Sequence, residues 1–372
     1  MTPLRLGLVG GGPGAFIGPV HRLAAEMDRE ILLVAGAFSS DAARSSAAGE
    51  QYGLDPRRAY PSYDAMIAGE RSRADGIEAV AIATPNHLHL SVARAALEAG
   101  LAVISDKPAT ATLEEALELQ AVVARCGRPY ALTYTYTGYA MVREMRARVM
   151  AGAIGKVRKI HVEYLQGWLT QAIERDGNRQ AAWRVDPAKA GLGGCIGDIG
   201  VHAFNLVEFV VDARVTAISA DLATVVPGRQ LDDDCTVLLR FDDGARGVLI
   251  ASQVATGERN NLRLRVYGEE GALEWCHEAA DRLTMTGLDG EVRTIWQGSG
   301  LVGPEASRVS RLPAGHPEGY LEAFANIYRD FAKRLRGGDA PLLPGIEEGV
   351  RSMRFVATAV GANSPEWLEL GA

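Results

Sequence analysis

Residues Leu4–His21 read LRLGLVGGGPGAFIGPVH, and this stretch decides how the rest of the chain is read. Leu4, Leu6, Leu8 and Val9 form a short apolar run of the kind found in a strand buried on both faces. The glycines Gly10, Gly11, Gly12 and Gly14 follow at once, and a helix can begin near Pro19. Strand, glycine turn and helix in succession cradle a pyrophosphate. Glycine lets the backbone approach the phosphate oxygens, and the unpaired N–H groups at the helix start face the negative charge. A glycine turn alone is a weak signal, so the residues that follow must support it.

Working outward, Ile31–Phe38 (ILLVAGAF) is a second buried strand, and it ends Phe38-Ser39-Ser40-Asp41. In a dinucleotide-binding unit a carboxylate at this end bonds the ribose 2′-OH of NAD, whereas Arg or small hydroxyls admit the phosphate of NADP. Asp41 falls slightly late and suits the cap of a helix over Ala42–Tyr52, and Arg44 is placed to meet a 2′-phosphate or solvent. NAD and NADP both remain open at this point. A third strand, Ile77–Ala83, stops at Thr84-Pro85-Asn86-His87-Leu88-His89, since Pro85 cannot continue a ladder. A helix over 89–99 closes at Gly100, and then come the strand Ala102–Ser105 and Asp106-Lys107-Pro108. Thr112 and Glu115 make a capping box, and Pro129–Thr133 is a further short strand. This alternation predicts a parallel, doubly wound α/β sheet whose ligand lies at the strands' carboxyl ends. Lys107 stands at such an end and is a candidate for chemistry. His87 and His89 have H-x-H spacing without a nearby source of further ligands, so cofactor contact or helix capping is preferred to a metal.

From Gly155 the period changes. Lys156–Trp168 alternates apolar and polar residues, and strands over 215–226, 235–241, 245–253, 262–267, 272–275 and 292–296 follow with hairpin turns between several of them. Strands in succession imply a mostly antiparallel open sheet, hence an α+β domain, with helices such as 320–336 packed on one face. Within this half the glycine-rich segment 191–202 places Asp198 and His202 a helical turn apart. A carboxylate beside an imidazole orients it and raises its basicity, as a general base requires. A capping Asp and a core His are the structural alternative.

The chain has 372 residues, enough for two domains with separate cores, and 47% are apolar and 23% charged. Its net charge of −7 without a basic run argues against a nucleic-acid partner. No apolar run approaches the roughly 20 residues of a membrane span, and no signal peptide opens the sequence. Cys126, Cys195, Cys235 and Cys276 lie far apart, as reduced thiols of a cytoplasmic protein do. The expected division is 1–135 for dinucleotide binding, 136–340 for substrate binding and oligomerisation, and 341–372 as a terminal helix and tail against the first domain.

Together, Val9–Gly12, Ala83–His89, Asp106–Pro108, Gly152–Gly155, Gly197–His202, Arg265–Gly271 and Gly315–Tyr320 resemble the glucose–fructose oxidoreductase/inositol dehydrogenase (Gfo/Idh/MocA) family over nearly the whole chain. The resemblance implies a Rossmann domain, an α/β partner with a large open sheet, and homodimers or homotetramers formed through that sheet. It also implies hydride transfer between NAD or NADP and a secondary hydroxyl of a sugar, cyclic polyol or glycoside. The family's functional lysine matches Lys107 and its Asp–His pair matches Asp198 and His202. Cofactor contacts are then expected from Gly10, Gly12, Gly14, Phe16, Ile17, Ser39, Ser40, Arg44, Thr84, Pro85, Asn86, His89, Asp106 and Lys107. Substrate contacts are expected from Lys107, Tyr136, Tyr164, Gln166, Trp168, Trp183, Arg184, Asp198, His202 and His316, and no metal is expected. The usual Glu-Lys-Pro is Asp-Lys-Pro here, and extra residues in the glycine turn make Gly18 its third glycine. Two other activities fit the same pattern. One is an NAD-dependent glycosidase acting by transient C3 oxidation. The other is a non-catalytic cofactor-binding regulator, which need not keep Lys107, Asp198 and His202.

Overall fold

The apolar run at the start of the chain forms β1 (Leu4–Gly10), whose Leu6, Leu8 and Val9 are buried. It lies between β2 (Ile31–Ala37) and β3 (Ala79–Ala83), and β4 (Ala102–Ser105) and β5 (Tyr130–Leu132) complete the sheet. All four pairings are parallel. Every residue of β3, β4 and β5 is buried, because helices cover both faces. The chain leaves β1 toward β2 on one side and returns to β3 on the other, so the carboxyl end of β1 is a topological switch point. The computed structural model describes residues 2–362 and 365–371, so part of the tail expected over 341–372 (363, 364 and 372) lies outside the described residues.

The chain divides into two compact units, residues 1–135 with 321–350, and residues 136–320 with 351–372. These bounds differ from those expected. Helix Tyr320–Leu335, read from sequence as a cover for the second sheet, contributes 321–335 to the first unit. Its Phe324 packs edge-on to His21, with ring centroids 4.9 Å apart, and its Tyr328 hydroxyl lies 2.7 Å from His21 Nδ1. From Arg351 onward the terminal helix (Ile346–Ala362) belongs to the second unit. There Arg351 Nη2 donates to Glu208 Oε1 at 2.6 Å, and Phe355 stacks on Phe204 at 4.4 Å.

The second unit holds a nine-stranded sheet. It runs through β6 (Val157–Leu165), β7 (Val215–Ala223), β8 (Asp234–Phe241), β9 (Arg246–Ser252), β10 (Asn261–Gly268), β11 (Gly271–Cys276), β12 (Arg282–Gly287), β13 (Val292–Trp296) and β14 (Leu368–Glu369). Their spatial order is β13-β12-β11-β10-β6-β9-β8-β7-β14, antiparallel throughout except for β6 beside β9. Alternation decides the faces. Cys235, Val237, Leu239 and Phe241 of β8 are buried, while Leu238 between them is 45% exposed. β12 and β14 are additions to the expected strands. No helix among the described residues is long and apolar enough to cross a membrane.

His21 sits fully buried in the first unit, and burial pulls its pKa from 6.5 down to about 4. The unfolded chain binds a proton in that interval and the folded chain does not, so stability falls as pH drops from 6.5 toward 4. The contribution lost is about 3 kcal/mol at the lower end. Urea melts of wild type and His21→Gln at neutral and mildly acid pH check this. The variant is expected to lose much less stability on acidification, and equal losses would rule His21 out.

Candidate active site

The glycine turn is built for close backbone approach. A Cβ on Gly10, whose φ is +87°, would lie 2.4 Å from the Ala83 carbonyl oxygen, and one on Gly12 would lie 2.5 Å from that of Phe38. Gly11 and Gly18 face each other across the turn, where a Cβ on Gly18 would stand 2.2 Å from the Gly11 Cα. Gly18 therefore does the work of the third glycine, seating helix Ile17–Glu26 on β1. Phe16, at the tip of the turn, is 64% exposed, and Ile17 opens the helix. At the end of β2, Asp41 caps helix Ala42–Gln51 by accepting the Arg44 N–H at 2.9 Å. Ser40 and the Arg44 side chain remain exposed beside it, and Ser39 is half-buried.

The His89 ring lies between the ends of β3 and β4. The ring is buried, with Nδ1 2.8 Å from the Pro108 carbonyl oxygen and Nε2 2.9 Å from that of Thr84. Burial lowers its pKa, and the neutral ring, which carries one N–H, donates to one of these carbonyls and packs against the other, so it lies buried between two loops rather than facing solvent as a ligand. Asp106 Oδ1 accepts the Lys107 N–H at 2.9 Å and the Thr133 hydroxyl at 3.0 Å. The shorter acid of Asp-Lys-Pro is thereby spent on the backbone that presents Lys107. Thr84 Oγ1 is buried without a hydrogen-bond partner, and Asn86 is buried next to the exposed Pro85.

In the second unit the helix that carries the acid and the imidazole starts irregularly. Ile196–Gly200 is a π-helical turn continued by the α-helix Val201–Val211. Asp232 holds its start, with Oδ1 accepting the Gly194 N–H at 2.6 Å and Oδ2 the Ile196 N–H at 2.7 Å. Gly194 is required there, since a Cβ would meet the Asp232 carbonyl oxygen at 2.1 Å. Asp198 lies in the π turn, a feature often found at functional sites. Its Oδ2 accepts from Arg184 Nε and from Gln253 Nε2, each at 2.9 Å. The Arg184 guanidinium lies over the Trp183 ring at 4.3 Å and the Trp168 ring at 5.7 Å, which fixes the cation beside the carboxylate.

His202 is buried on the following turn. The Tyr136 ring stands nearly perpendicular to it at 5.0 Å, and Tyr164 lies at 6.2 Å. The two tyrosine hydroxyls bond each other, Tyr164 donates to Asn260 Oδ1 at 2.7 Å, and Asn260 Nδ2 donates to Tyr136 at 3.1 Å. Burial pushes the Tyr136 phenol up to about 12 and Tyr164 well above its usual range, so both stay protonated. His277 completes the cluster, with Nδ1 2.9 Å from the Asn260 carbonyl oxygen and Nε2 3.0 Å from the Tyr139 hydroxyl.

Comparison with known proteins agrees with this architecture. Residues 4–134 match the oxidoreductase family with an NAD-binding Rossmann fold, and residues 142–274 match the GFO/IDH/MocA C-terminal domain. An uncharacterised oxidoreductase of Bacillus subtilis (strain 168), YfiI, is 33% identical over 99% of this chain and 97% of its own. The chain belongs to the GFO/IDH/MocA oxidoreductase family. An inositol dehydrogenase homologue from Azotobacter vinelandii, solved with NAD+, superposes with a TM-score of 0.94 at 36% identity, covering 99% of this chain and 97% of that one. An inositol dehydrogenase homologue from the same organism, solved with NADH and myo-inositol, gives a TM-score of 0.92 at 35% identity, covering 99% of this chain and 98% of that one. Levoglucosan dehydrogenase of Pseudarthrobacter phenanthrenivorans (strain DSM 18606 / JCM 16027 / LMG 23796 / Sphe3) is 29% identical over 77% of this chain and 76% of its own.

As a GFO/IDH/MocA oxidoreductase, the chain has an NAD-binding first unit, and the glycine cradle and the unpartnered Thr84 hydroxyl fit that cofactor. Several expected substrate contacts have other work. Arg184 is bound to Asp198, and the Tyr136 and Tyr164 hydroxyls are buried in mutual bonds. Gln166 donates to Asn260 Oδ1 at 2.6 Å, Trp168 donates to Gln166, and Trp183 donates to Gln180 at 3.4 Å. His316 is exposed, and its Nδ1 lies 3.3 Å from the Pro313 carbonyl oxygen of its own turn. Sequence reasoning missed Asp232, Gln253, Asn260 and His277. Among the described residues no cluster of His, Cys, Asp and Glu could hold a metal ion.

Proposed function

We propose that this oxidoreductase is a dehydrogenase acting on a secondary hydroxyl of a cyclic polyol or sugar. The observation that carries the reading is Asp198, held by Arg184 and Gln253 one turn before His202, in a chain that also presents Lys107 at the carboxyl end of a Rossmann strand. Relatives solved with myo-inositol and with levoglucosan support a ring-shaped, hydroxyl-rich substrate. Bound NAD supplies the hydride acceptor. His202 takes the hydroxyl proton, Asp198 keeps the imidazole oriented, and Lys107 hydrogen-bonds the same oxygen and stabilises the charge that develops on it. The outer face of the large sheet, with Leu238 and Tyr267 partly exposed, is the surface through which a second copy associates, which light scattering tests. The four thiols, none of them in a disulfide, fit a cytoplasmic setting.

The decisive experiment is an absorbance screen at the nicotinamide band with NAD and NADP against cyclitols, aldoses and glycosides. Net NADH with a cyclitol or sugar supports the dehydrogenase. Release of an aglycone without NADH favours the glycosidase, and cofactor binding without turnover on the whole panel favours a regulator. Arg184→Met, which keeps the bulk against both indoles but removes the charge, is expected to lower kcat about ten-fold, since a bond to a carboxylate contributes about 1.5–3 kcal/mol. Unchanged kcat in that variant would separate Arg184 from the chemistry.

A further inference from the structure

The hydrogen bonds behind His202 have a direction, and one donor-only group sets it. Trp168 Nε1 can only donate, and it does so to Gln166 Oε1 at 2.9 Å. Gln166 must then turn its amide nitrogen toward Asn260, 2.6 Å away, so Asn260 presents Oδ1 there. That orientation sends Asn260 Nδ2 to the Tyr136 hydroxyl oxygen. Tyr164 spends its proton on Asn260 Oδ1, so the bond between the two phenols is donated by Tyr136. The three side chains close a ring in which Tyr136 gives to Tyr164, Tyr164 to Asn260, and Asn260 to Tyr136. Neither phenol proton is left for a substrate, and the Tyr136 side chain cannot swing away from its place without breaking two bonds. Its ring is the one that stands edge-on to His202 at 5.0 Å.

We propose that Asn260 is a positioning residue, acting through Tyr136 to hold the His202 imidazole in its working orientation. This rests on the base role given to His202 above. Asn260 sits just before β10, and its backbone carbonyl is held by His277 Nδ1 while its carboxamide is held by Gln166 and the two phenols.

The test uses Asn260→Ala, Tyr164→Phe and the double variant in the full-length protein. Each single change cuts the same ring, so each is expected to lower kcat about ten-fold with KM nearly unchanged, and the double variant to be no worse than Asn260→Ala alone. Tyr164→Phe removes a single hydroxyl and keeps the packing, which guards against a folding defect. Histidine-labelled protein gives a readout free of activity: the His202 ring nitrogen signals should shift in Asn260→Ala while those of exposed His316 stay put. A KM effect alone, additive losses, or an unmoved His202 signal overturns the proposal. If wild type turns over no polyol or sugar, the dehydrogenase reading fails, and the nitrogen signals still decide whether Asn260 positions His202.

Discussion

Replacing Lys107 by Ala is expected to lower kcat by roughly 10²–10⁴-fold, the usual contribution of a positioned general acid or base, with NAD affinity within a few-fold of wild type. The separation of the two effects follows from what holds this segment in place. Asp106 Oδ1 binds the backbone N–H of residue 107 and the Thr133 hydroxyl, and His89 holds the Pro108 carbonyl oxygen. These bonds are made by the backbone and by Asp106, Thr133 and His89, so they remain when the lysine side chain is truncated. On the mechanism proposed above, what is lost is an ammonium beside the negative charge that develops on the substrate oxygen, a transition-state loss that appears in kcat. Stopped-flow turnover beside a fluorescence titration of NADH measures both quantities. Loss of cofactor binding together with turnover would make Lys107 a structural residue.

The parts of the molecule that local sequence reveals are those whose environment is symmetric. β3 and β4 are unbroken apolar runs because helices cover both faces, and the glycine turn reads as a phosphate cradle because Gly10, Gly11 and Gly18 have no room for a side chain. β12 (Arg282–Gly287) alternates only through Leu283 and Met285, too short a pattern to stand out, and of its six residues only Leu283 is buried. Helix Tyr320–Leu335 is plainly amphipathic, yet an apolar stripe does not say which sheet it will cover, and His21 and Phe324 decide that. The same limit applies to the site. Lys107, Asp198 and His202 stand in short motifs beside glycines. Gln253 and Asn260 stand in turns 55 and 58 residues beyond the helix side chains they serve, Asp198 and His202. Nothing local marks either one; the parallel pairing of β6 with β9 and the antiparallel pairing of β6 with β10 bring them there.

Gly18→Ala is the second substitution with a large expected effect, and its sign runs against helix propensity. Alanine in a helix ordinarily stabilises by up to about 1 kcal/mol over glycine. Here the new methyl would stand 2.2 Å from the Gly11 Cα and 3.0 Å from its carbonyl oxygen, both backbone atoms that cannot swing aside. Ordinary contact begins near 3.4 Å, so the start of the helix has to move by more than 1 Å. That displacement exceeds the distance window of a hydrogen bond, roughly 2.7–3.2 Å, and the N–H groups it carries are those expected to face the pyrophosphate of bound NAD. Losing one charge-assisted bond costs about 1.5–3 kcal/mol, so the Kd for NAD should rise at least about ten-fold, with a folding penalty of about 1–3 kcal/mol from overpacking. Gly14→Ala provides the contrast. Gly14 has φ +83° with nothing within 4 Å of its Cβ position, so alanine there meets backbone strain of about 1–2 kcal/mol and no clash. Its Kd should change much less than that of Gly18→Ala. Calorimetric titration of NAD into both variants, with thermal melts, separates close approach from backbone conformation. Wild-type affinity in Gly18→Ala would mean that the helix start does not hold the phosphates.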